Sequence, residues 1–488
     1  MPTPSECLRA PSSARRGWRI AAGMAAATAT ALALRADPEV ALACAAAALM
    51  AAWWVLEALP LWATSLVPLI AIPVLRDDLQ PLARLQATIS PYLDPYVGLF
   101  LGGMCIGAAM QEHGLHRRFA LHILVACGDS PRRVLAGLLV APALVSMWIS
   151  NTATTAMMLP VAMAVALAAP PGEARRADRR GTAYLLAIAY GASIGGVATK
   201  IGTPPNAQFA GFMEQRGVEI GFLQFMVVGG GFVLLFLPVA WFFLSRLVPA
   251  EQERAGEGEP LRARLEALGP MSRAERVIAL VFVATALAWT ASQPLAGWLA
   301  RAGAPDWLRT AHVEGAIALL AALTLKLRGG ARPLLPWRAV RGVPWHTLVL
   351  LGGSFGLATL VVDSKAGLAL AGLLGGLRDA PPFAALLLAT LATTGLSAIA
   401  SNTATCGVML AVLWQAFGAG DALPILYGAT IAASCDFALP AGTAPNAIVA
   451  SSGLVSLRTM FLVGACLDLA AALVATAWVW LSVPLVHG

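Results

Sequence analysis

An uncharged polar pentapeptide lies in the middle of a long apolar run, and the chain contains this arrangement twice. Ser150-Asn151-Thr152-Ala153-Thr154 lies within the run 134–169, and Ser401-Asn402-Thr403-Ala404-Thr405 lies within the run 382–417. Each run exceeds the roughly 20 residues that one membrane-spanning helix needs. Because Ser, Thr and Asn are preferred where a helix begins, we interpret each run as a re-entrant hairpin of two half-helices. Irregular backbone at membrane depth is tolerated only where protein buries it or where it lines an aqueous cavity.

The paired pentapeptides also predict a site for an anion. A helix N-terminus carries a partial positive charge and unpaired N–H groups, so it binds negative groups. The alternative is that these hydroxyls and amides only hydrogen-bond neighbouring helices together. A single copy would leave the two interpretations equal, whereas two copies favour a functional site.

The composition limits the fold to a helical membrane protein. The chain of 488 residues is 58% hydrophobic and only 12% charged, whereas soluble domains contain about 25% charged residues. Only helices and closed barrels satisfy the backbone in lipid, and these apolar runs are too long for barrel strands. We therefore predict an all-α polytopic membrane protein with about 11 transmembrane helices and two re-entrant hairpins in inverted-topology repeats.

Charge and cysteine content exclude several other classes. The net charge of +7 is explained by basic cytoplasmic loops, so we expect no nucleic acid partner. The seven cysteines are odd in number and contain no C-x-x-C pair, which argues against disulfides and against a zinc site. We expect no cofactor, and a cation only as a coupling ion.

The apolar pattern places the spans and divides the chain. The predicted spans are 18–34, 40–59, 61–75, 97–111, 183–213, 222–247, 277–292, 313–327, 347–362, 423–450 and 461–484. An amphipathic stretch (76–92), an interfacial segment (117–127) and a polar linker (249–273) lie between them. The predicted units are N-terminal scaffold helices (1–96), a first repeat (97–213), a middle section (214–346), a second repeat (347–450) and a last helix (451–488).

Three landmarks recur in the same order in the two repeats. Leu101-Gly102-Gly103 matches Leu351-Gly352-Gly353, the pentapeptides match, and a Gly-Thr-x-Pro-Asn string begins at both Gly202 and Gly442. An odd number of crossings separates the two copies, so their orientations are opposite, as in many secondary transporters. The distribution of Lys and Arg predicts a cytoplasmic N-terminus and a C-terminus on the outside of an inner membrane.

Two strings match a nucleophile motif and allow a rival interpretation. Gly191-Ala192-Ser193-Ile194-Gly195 and Gly352-Gly353-Ser354-Phe355-Gly356 both fit G-x-S-x-G, which would make Ser193 or Ser354 the nucleophile of an intramembrane hydrolase. Neither string follows a strand, and no acid–His pair is placed beside it. Both strings also fit G-x-x-x-G, the close-packing pattern of membrane helices. We favour packing and expect no enzyme.

The Gly-Thr-x-Pro-Asn strings predict two broken helices. Proline removes a backbone N–H and glycine permits unusual dihedral angles, so each string interrupts its span. Carbonyl oxygens freed by the break are suitable ligands for a hard cation such as Na⁺. Two breaks and two hairpin tips together predict a four-part site at the interface of the repeats.

These paired motifs resemble those of the divalent anion/sodium symporter (DASS) family, in its bacterial dicarboxylate transporter branch. The resemblance covers nearly the whole chain. It implies eleven spans, two opposed hairpins, a homodimer built on scaffold helices, and elevator-like alternating access. Members of the family carry dicarboxylates, citrate and, in some branches, sulfate.

The resemblance also implies roles for individual residues. Substrate carboxylates would contact Asn151, Thr152, Asn402 and Thr403, with Thr203 and Thr443 nearby at the helix breaks. One Na⁺ would be bound by Ser146, Ser150, Asn151 and Gly202, and a second by Ser397, Ala400, Asn402 and Gly442.

The sequence therefore predicts a secondary active transporter that couples Na⁺ to the import of a C4-dicarboxylate such as succinate, malate or fumarate. The repeated motifs contain no Arg or Lys, so hydroxyls, amides, helix N-termini and bound cations would recognise the dianion. The alternative on the same scaffold is a proton-coupled carrier or an exchanger of dicarboxylate, citrate or sulfate.

Two charged residues depart from the family pattern. Lys200 precedes Gly202 where an apolar residue is expected, and Asp436 stands where a small residue is expected. A charge within the membrane costs about 2.5–3.5 kcal/mol on insertion scales, so both residues are candidates for cation coupling. The alternative is that both side chains face an aqueous cavity, or that Lys200 and Asp436 form an ion pair that only joins two helices.

Overall fold

The structure, a computed structural model, is helical wherever it contains a regular element. It describes residues 13–128, 130–166, 174–248, 259–305, 307–327, 333–362, 375–440 and 442–487. The helices of the first half are α1 (Ser13–Ala33), α2 (Pro38–Val55), α3 (Leu61–Thr64), α4 (Pro68–Leu75), α5 (Pro81–Ile89), α6 (Pro95–Glu112), α7 (Leu115–Cys127), α8 (Pro131–Ser146), α9 (Asn151–Ala166), α10 (Ala174–Gly196), α11 (Pro204–Glu214) and α12 (Phe222–Ser245). Those of the second half are α13 (Glu259–Glu266), α14 (Arg273–Thr290), α15 (Ser292–Arg301), α16 (Thr310–Leu327), α17 (Trp337–Arg341), α18 (Trp345–Val362), α19 (Gly375–Arg378), α20 (Pro382–Ser397), α21 (Asn402–Ser434), α22 (Ala444–Ser451) and α23 (Leu457–His487).

The length and composition of these helices fit a protein that crosses the membrane several times. Within the described residues, five segments are long and apolar enough to span: Pro38–Val55, Pro81–Glu112, Phe222–Ser245, Thr310–Leu327 and Leu457–His487. A sixth results if α14 and α15, which meet at a 60° bend, form one span. The all-helical polytopic fold is confirmed, and the number of about eleven spans stays a prediction.

Each predicted hairpin begins as a 16-residue helix that ends just before its pentapeptide. α8 ends at Ser146 and α20 ends at Ser397, and the next helices begin at Asn151 and Asn402. A helix of 16 residues is about 24 Å long at 1.5 Å per residue. This is shorter than the hydrocarbon core of about 30 Å, as expected of a segment that enters the membrane and turns back.

Two predicted spans are divided differently in the structure. The span predicted at 61–75 is divided into α3 and α4, because Pro68 begins a new helix. The span predicted at 277–292 continues through the bend into α15. In the second repeat, α21 consists of two helices that meet at a kink at Gly418, which has a φ of 70° and follows directly on the predicted run 382–417. Glycine adopts this left-handed conformation without a Cβ clash.

Glycine pairs bring neighbouring backbones into direct contact, which confirms the packing interpretation of the two G-x-S-x-G strings. A Cβ built on Gly195 would lie 2.0 Å from the carbonyl oxygen of Ala143, and one on Gly191 would lie 2.2 Å from that of Leu139. Both carbonyls belong to α8, so α10 packs against the first hairpin backbone to backbone. Gly352 and Gly356 of α18 also allow close approach, since a Cβ on Gly352 would lie 2.5 Å from the Tyr92 ring and one on Gly356 would lie 2.6 Å from Pro68 Cβ.

We expect Gly195→Ala to lower the thermal unfolding midpoint of the purified protein sharply. The added methyl group meets backbone atoms of α8 rather than a flexible side chain, and overpacking of this kind costs about 1–3 kcal/mol or more. The control is Gly297→Ala, since a Cβ at Gly297 meets nothing within 4 Å. Equal midpoints for the two variants, measured by dye-free fluorescence unfolding, would contradict the backbone contact.

Candidate functional site

The tip of the first hairpin is held by a hydrogen bond across the break. The Ser146 hydroxyl at the end of α8 donates to Asn151 Oδ1 over 2.6 Å. The Ser150 hydroxyl accepts from the backbone N–H of Ala153 over 3.3 Å and so caps the start of α9. Because Asn151 Oδ1 is oriented by Ser146, the amide NH₂ of Asn151 remains available as a donor. Thr152 is exposed beside it.

The tip of the second hairpin repeats this bond. Ser397 Oγ lies 2.9 Å from Asn402 Oδ1, and it also lies 3.0 Å from the carbonyl oxygen of Ala433 near the end of α21. The second contact attaches this tip directly to the second broken helix. The two tips differ in their capping and exposure: Ser401 makes no side-chain cap, and Thr403 is buried, whereas Thr152 is exposed. Ala400 is buried at the turn.

The first helix break runs from the end of α10 to the start of α11 and is held together by Asn206. Its Nδ2 donates to the carbonyls of Gly196 (2.9 Å) and Thr199 (2.7 Å), and Val197 O lies 3.3 Å away. These are carbonyls that the break deprives of helical partners. Thr203 is the N-cap residue of α11 and is buried.

The second break is held in the same way by Asn446. Its Nδ2 donates to the carbonyls of Asp436 (3.1 Å) and Leu439 (3.0 Å). The Thr443 hydroxyl caps α22 by accepting from the backbone N–H of Asn446 over 3.2 Å. Both asparagine Oδ1 atoms are buried without a hydrogen-bond partner. The last residue of the Gly-Thr-x-Pro-Asn string therefore shapes each break.

The structure brings each tip to a break and joins the two repeats. A Cβ built on Gly196 would lie 2.5 Å from Asn151 Oδ1, and one on Gly202 would lie 2.3 Å from Gly196 O, so these three residues meet. The outer half of each broken helix also contacts the second arm of the opposite hairpin: α11 packs on α21, and α22 packs on α9. The four predicted parts are thus neighbours, with helix N-termini at Asn151, Pro204, Asn402 and Ala444.

Lys200 forms a buried ion pair with Glu314 of α16, and the predicted pair between Lys200 and Asp436 is wrong. Lys200 Nζ lies 2.7 Å from Glu314 Oε2 and 3.0 Å from Oε1, and both side chains are fully buried. Lys200 Nζ also donates to the carbonyl of Ile220 and lies 5.2 Å from the centre of the Tyr96 ring.

Further groups donate hydrogen bonds to the carboxylate and to the backbone carbonyl of Glu314. Its Oε1 accepts from the backbone N–H of Phe222 (2.9 Å) and from the Ser292 hydroxyl (3.0 Å). The indole of Trp289 donates to the Glu314 carbonyl over 3.1 Å. The pair therefore joins the first helix break to α12, α14, α15 and α16, which is a structural role for a charge at membrane depth.

Sequence reasoning missed four residues here, and each had a signal. Asn206 and Asn446 end the two Gly-Thr-x-Pro-Asn strings, but only the Gly and Pro of these strings were used to predict the helix breaks. Glu314 is a charged residue within the predicted span 313–327. Asp468, which accepts from the backbone N–H of Phe437 at the second break, is one within the predicted span 461–484. An ionisable residue inside a span is a candidate for function on physical grounds.

Crossing helices, two polar tips and two broken helices define a multi-pass membrane transporter rather than an enzyme. A sequence model of the family described as "Citrate transporter" matches residues 51–432. The chain is 32% identical to the sodium-dependent dicarboxylate transporter SdcS of Staphylococcus saprophyticus over 457 residues, covering 90% of this chain and 85% of the relative. The SdcS protein of Staphylococcus aureus strain USA300 is 32% identical over 455 residues, with the same coverage.

The fold also has a solved relative. The Alcanivorax borkumensis YdaH transporter superposes with a TM-score of 0.54 at 15% identity, covering 87% of this chain and 98% of the other. Taken with the two sequence comparisons, the chain belongs to the divalent anion/sodium symporter family, as the paired motifs imply.

Proposed function

We propose that this protein imports a small dicarboxylate and couples its entry to Na⁺. The observation that carries the proposal is the duplicated tip: in each repeat a serine hydroxyl orients the asparagine that begins the next helix. An oriented amide offers N–H donors to a carboxylate and an oxygen to a cation. The relatives named as sodium-dependent dicarboxylate transporters support both ligands.

Asn151, Thr152, Asn402 and Thr403 would bind the two carboxylates, with Thr203 and Thr443 at the helix breaks beside them. Helix N-termini and two bound cations would offset the charge of the dianion, since the tips contain no Lys or Arg. The first Na⁺ would lie among Ser146, Ser150, Asn151 and the carbonyl of Gly202. The second would lie among Ser397, Ala400, Asn402 and the carbonyl of Gly442.

The substrate class we favour is a C4-dicarboxylate such as succinate, malate or fumarate. A site with one oriented amide at each of two tips matches a ligand with one carboxylate at each end. The description of the matching family as a citrate transporter supports citrate as the second candidate. A proton-coupled carrier or an exchanger on the same scaffold is the alternative mechanism.

We further propose an elevator-type movement in a homodimer of the inner membrane, with a cytoplasmic N-terminus and an external C-terminus. The direct backbone contact between α8 and α10 supports movement of a hairpin and its broken helix as one body. The basic residues of the segments between spans support the orientation.

Uptake of labelled succinate into proteoliposomes tests this function. We expect an inward Na⁺ gradient to raise initial uptake at least about tenfold over an equal choline gradient, a coupling worth about 1.4 kcal/mol. Unlabelled malate and fumarate should compete better than citrate. Uptake that is independent of Na⁺ but driven by a proton gradient would overturn Na⁺ coupling and favour a proton-coupled carrier. Uptake that requires dicarboxylate inside the proteoliposomes would overturn it in favour of an exchanger.

A further inference from the structure

The side chain of Asp436 is buried at the second helix break without a hydrogen-bond partner. It is 1% exposed, and neither carboxylate oxygen makes a hydrogen bond. The backbone N–H groups of Ala438 and Leu439 face the carboxylate outside hydrogen-bond geometry. A buried ionised carboxylate without a counter-charge is strongly destabilising. An ionised Asp436 would therefore need a positively charged partner.

A second carboxylate stands beside it. Asp468 of α23 is 7% exposed, and its Oδ1 accepts from the backbone N–H of Phe437, the residue that follows Asp436, over 2.8 Å. The N–H of Ala438 faces both carboxylates. Two carboxylates in one buried space favour binding of a cation between them, because their like charges repel.

The other groups around the pair supply no positive charge. The Tyr190 hydroxyl of α10 donates to the Phe437 carbonyl over 2.9 Å, and the Cys435 thiol lies on the same segment. Lys200, the candidate suggested by the sequence, is bound by Glu314 instead. Among the described residues, no Lys or Arg acts on either carboxylate.

The repeat relationship places Asp436 beside the second tip. Asp436 lies six residues before Gly442, just as Gly196 lies six residues before Gly202. Asp436 and Gly196 are therefore equivalent positions of the two repeats. In the first repeat, a Cβ on Gly196 would meet Asn151, so a side chain at this position points toward the tip. In the second repeat, Asp436 Oδ2 lies against Gly442, where a Cβ would be only 1.5 Å away.

We propose that Asp436 and Asp468 form an acidic site for one Na⁺ beside the second tip. The placement rests on the proposed function, which assigns Asn402 and Gly442 to a cation. The first repeat has Gly196 at the equivalent position and lacks this carboxylate. The two cation sites of the protein therefore differ in charge.

The test uses the purified full-length protein without substrate. Its thermal unfolding midpoint is measured at one fixed pH against the NaCl concentration, with choline chloride added to keep the ionic strength equal. The variants are Asp436→Asn and Asp468→Asn, which keep the shape and remove the charge. The control is Asp78→Asn, because Asp78 is exposed and lies in the turn after α4.

We expect Asp436→Asn to raise the half-stabilising NaCl concentration at least about tenfold, since a charged ligand is lost. In choline alone, Asp436→Asn should unfold at a higher temperature than wild type, because it removes an uncompensated charge.

Asp468→Asn should shift the same responses, and it serves as the test if Asp436→Asn fails to fold. A NaCl response of both variants identical to that of wild type and Asp78→Asn would overturn the proposal. Because no substrate is present, absence of Na⁺-driven succinate uptake would count against the proposed function and leave this result unaffected.

Discussion

Asn151→Ala and Asn402→Ala should each reduce Na⁺-driven succinate uptake by about 100-fold or more while leaving the protein folded. Each amide would bind a carboxylate and a cation, and a hydrogen bond to a charged group is worth about 1.5–3 kcal/mol. Losing two such contacts exceeds the roughly 2.8 kcal/mol that corresponds to 100-fold. Each asparagine is only partly buried and bonds one serine hydroxyl, so removal leaves no buried charge.

The control for these variants is Thr324→Ala, because that hydroxyl only bonds the carbonyl of Leu320 in its own helix. Monodisperse elution and an unfolding midpoint near that of wild type establish folding before uptake is measured. If Asn151→Ala or Asn402→Ala transports at a rate close to wild type, that tip only joins helices and its assignment to the substrate fails.

Lys200→Leu should cause the largest loss of stability of any single change described for this chain. It leaves Glu314 ionised and fully buried, and breaking a buried pair from one side costs about 3–5 kcal/mol. Adding Glu314→Gln removes that charge and keeps an oxygen for the Phe222 N–H and the Ser292 hydroxyl. We therefore expect the double variant to recover most of the folded yield and the unfolding midpoint.

Two comparisons make this test specific. Lys326→Leu changes a lysine that lies over the Trp337 ring near the end of α16, and it should express normally. Asp436→Ala should change the unfolding midpoint of Lys200→Leu by no more than it changes that of the wild type, since Asp436 is not the partner. A larger recovery with Asp436→Ala would contradict the observed pair. A well-folded Lys200→Leu with an altered Na⁺ Hill coefficient would instead assign Lys200 to coupling.

The sequence predicted the helical class, the two broken runs and the packing glycines because each depends on a local pattern. A cluster of polar residues inside an apolar run indicates an interrupted helix. A G-x-x-x-G pattern indicates that the backbones of two helices pack closely. The partner of Lys200 could not be predicted in this way. Lys200 and Asp436 both lie near Gly-Thr-x-Pro-Asn strings, which suggested a pair between them, but Glu314 comes from a span outside both repeats.

The same reasoning explains why the role of the two asparagines was missed. Asn206 and Asn446 each donate to backbone carbonyls on the other side of a helix break. Which carbonyls lose their helical partners depends on the path of the backbone through the break, and the amino-acid composition of the break does not give that path. Asp468 likewise joins α23 to the second break, because it accepts from the backbone N–H of Phe437. Contacts between distant spans of this kind become visible only once the helices are packed.

The contact of Gly191 and Gly195 with the backbone of α8 has a mechanical consequence. At these two glycines no side chain separates α8 from α10, so sliding there would force carbonyl oxygens against Cα atoms. In the proposed elevator movement, the first tip and the helix break beside it would therefore move together as one body. A cation bound by Ser146, Asn151 and Gly202 would then keep its ligands, and only the surroundings of the site would change from one side of the membrane to the other.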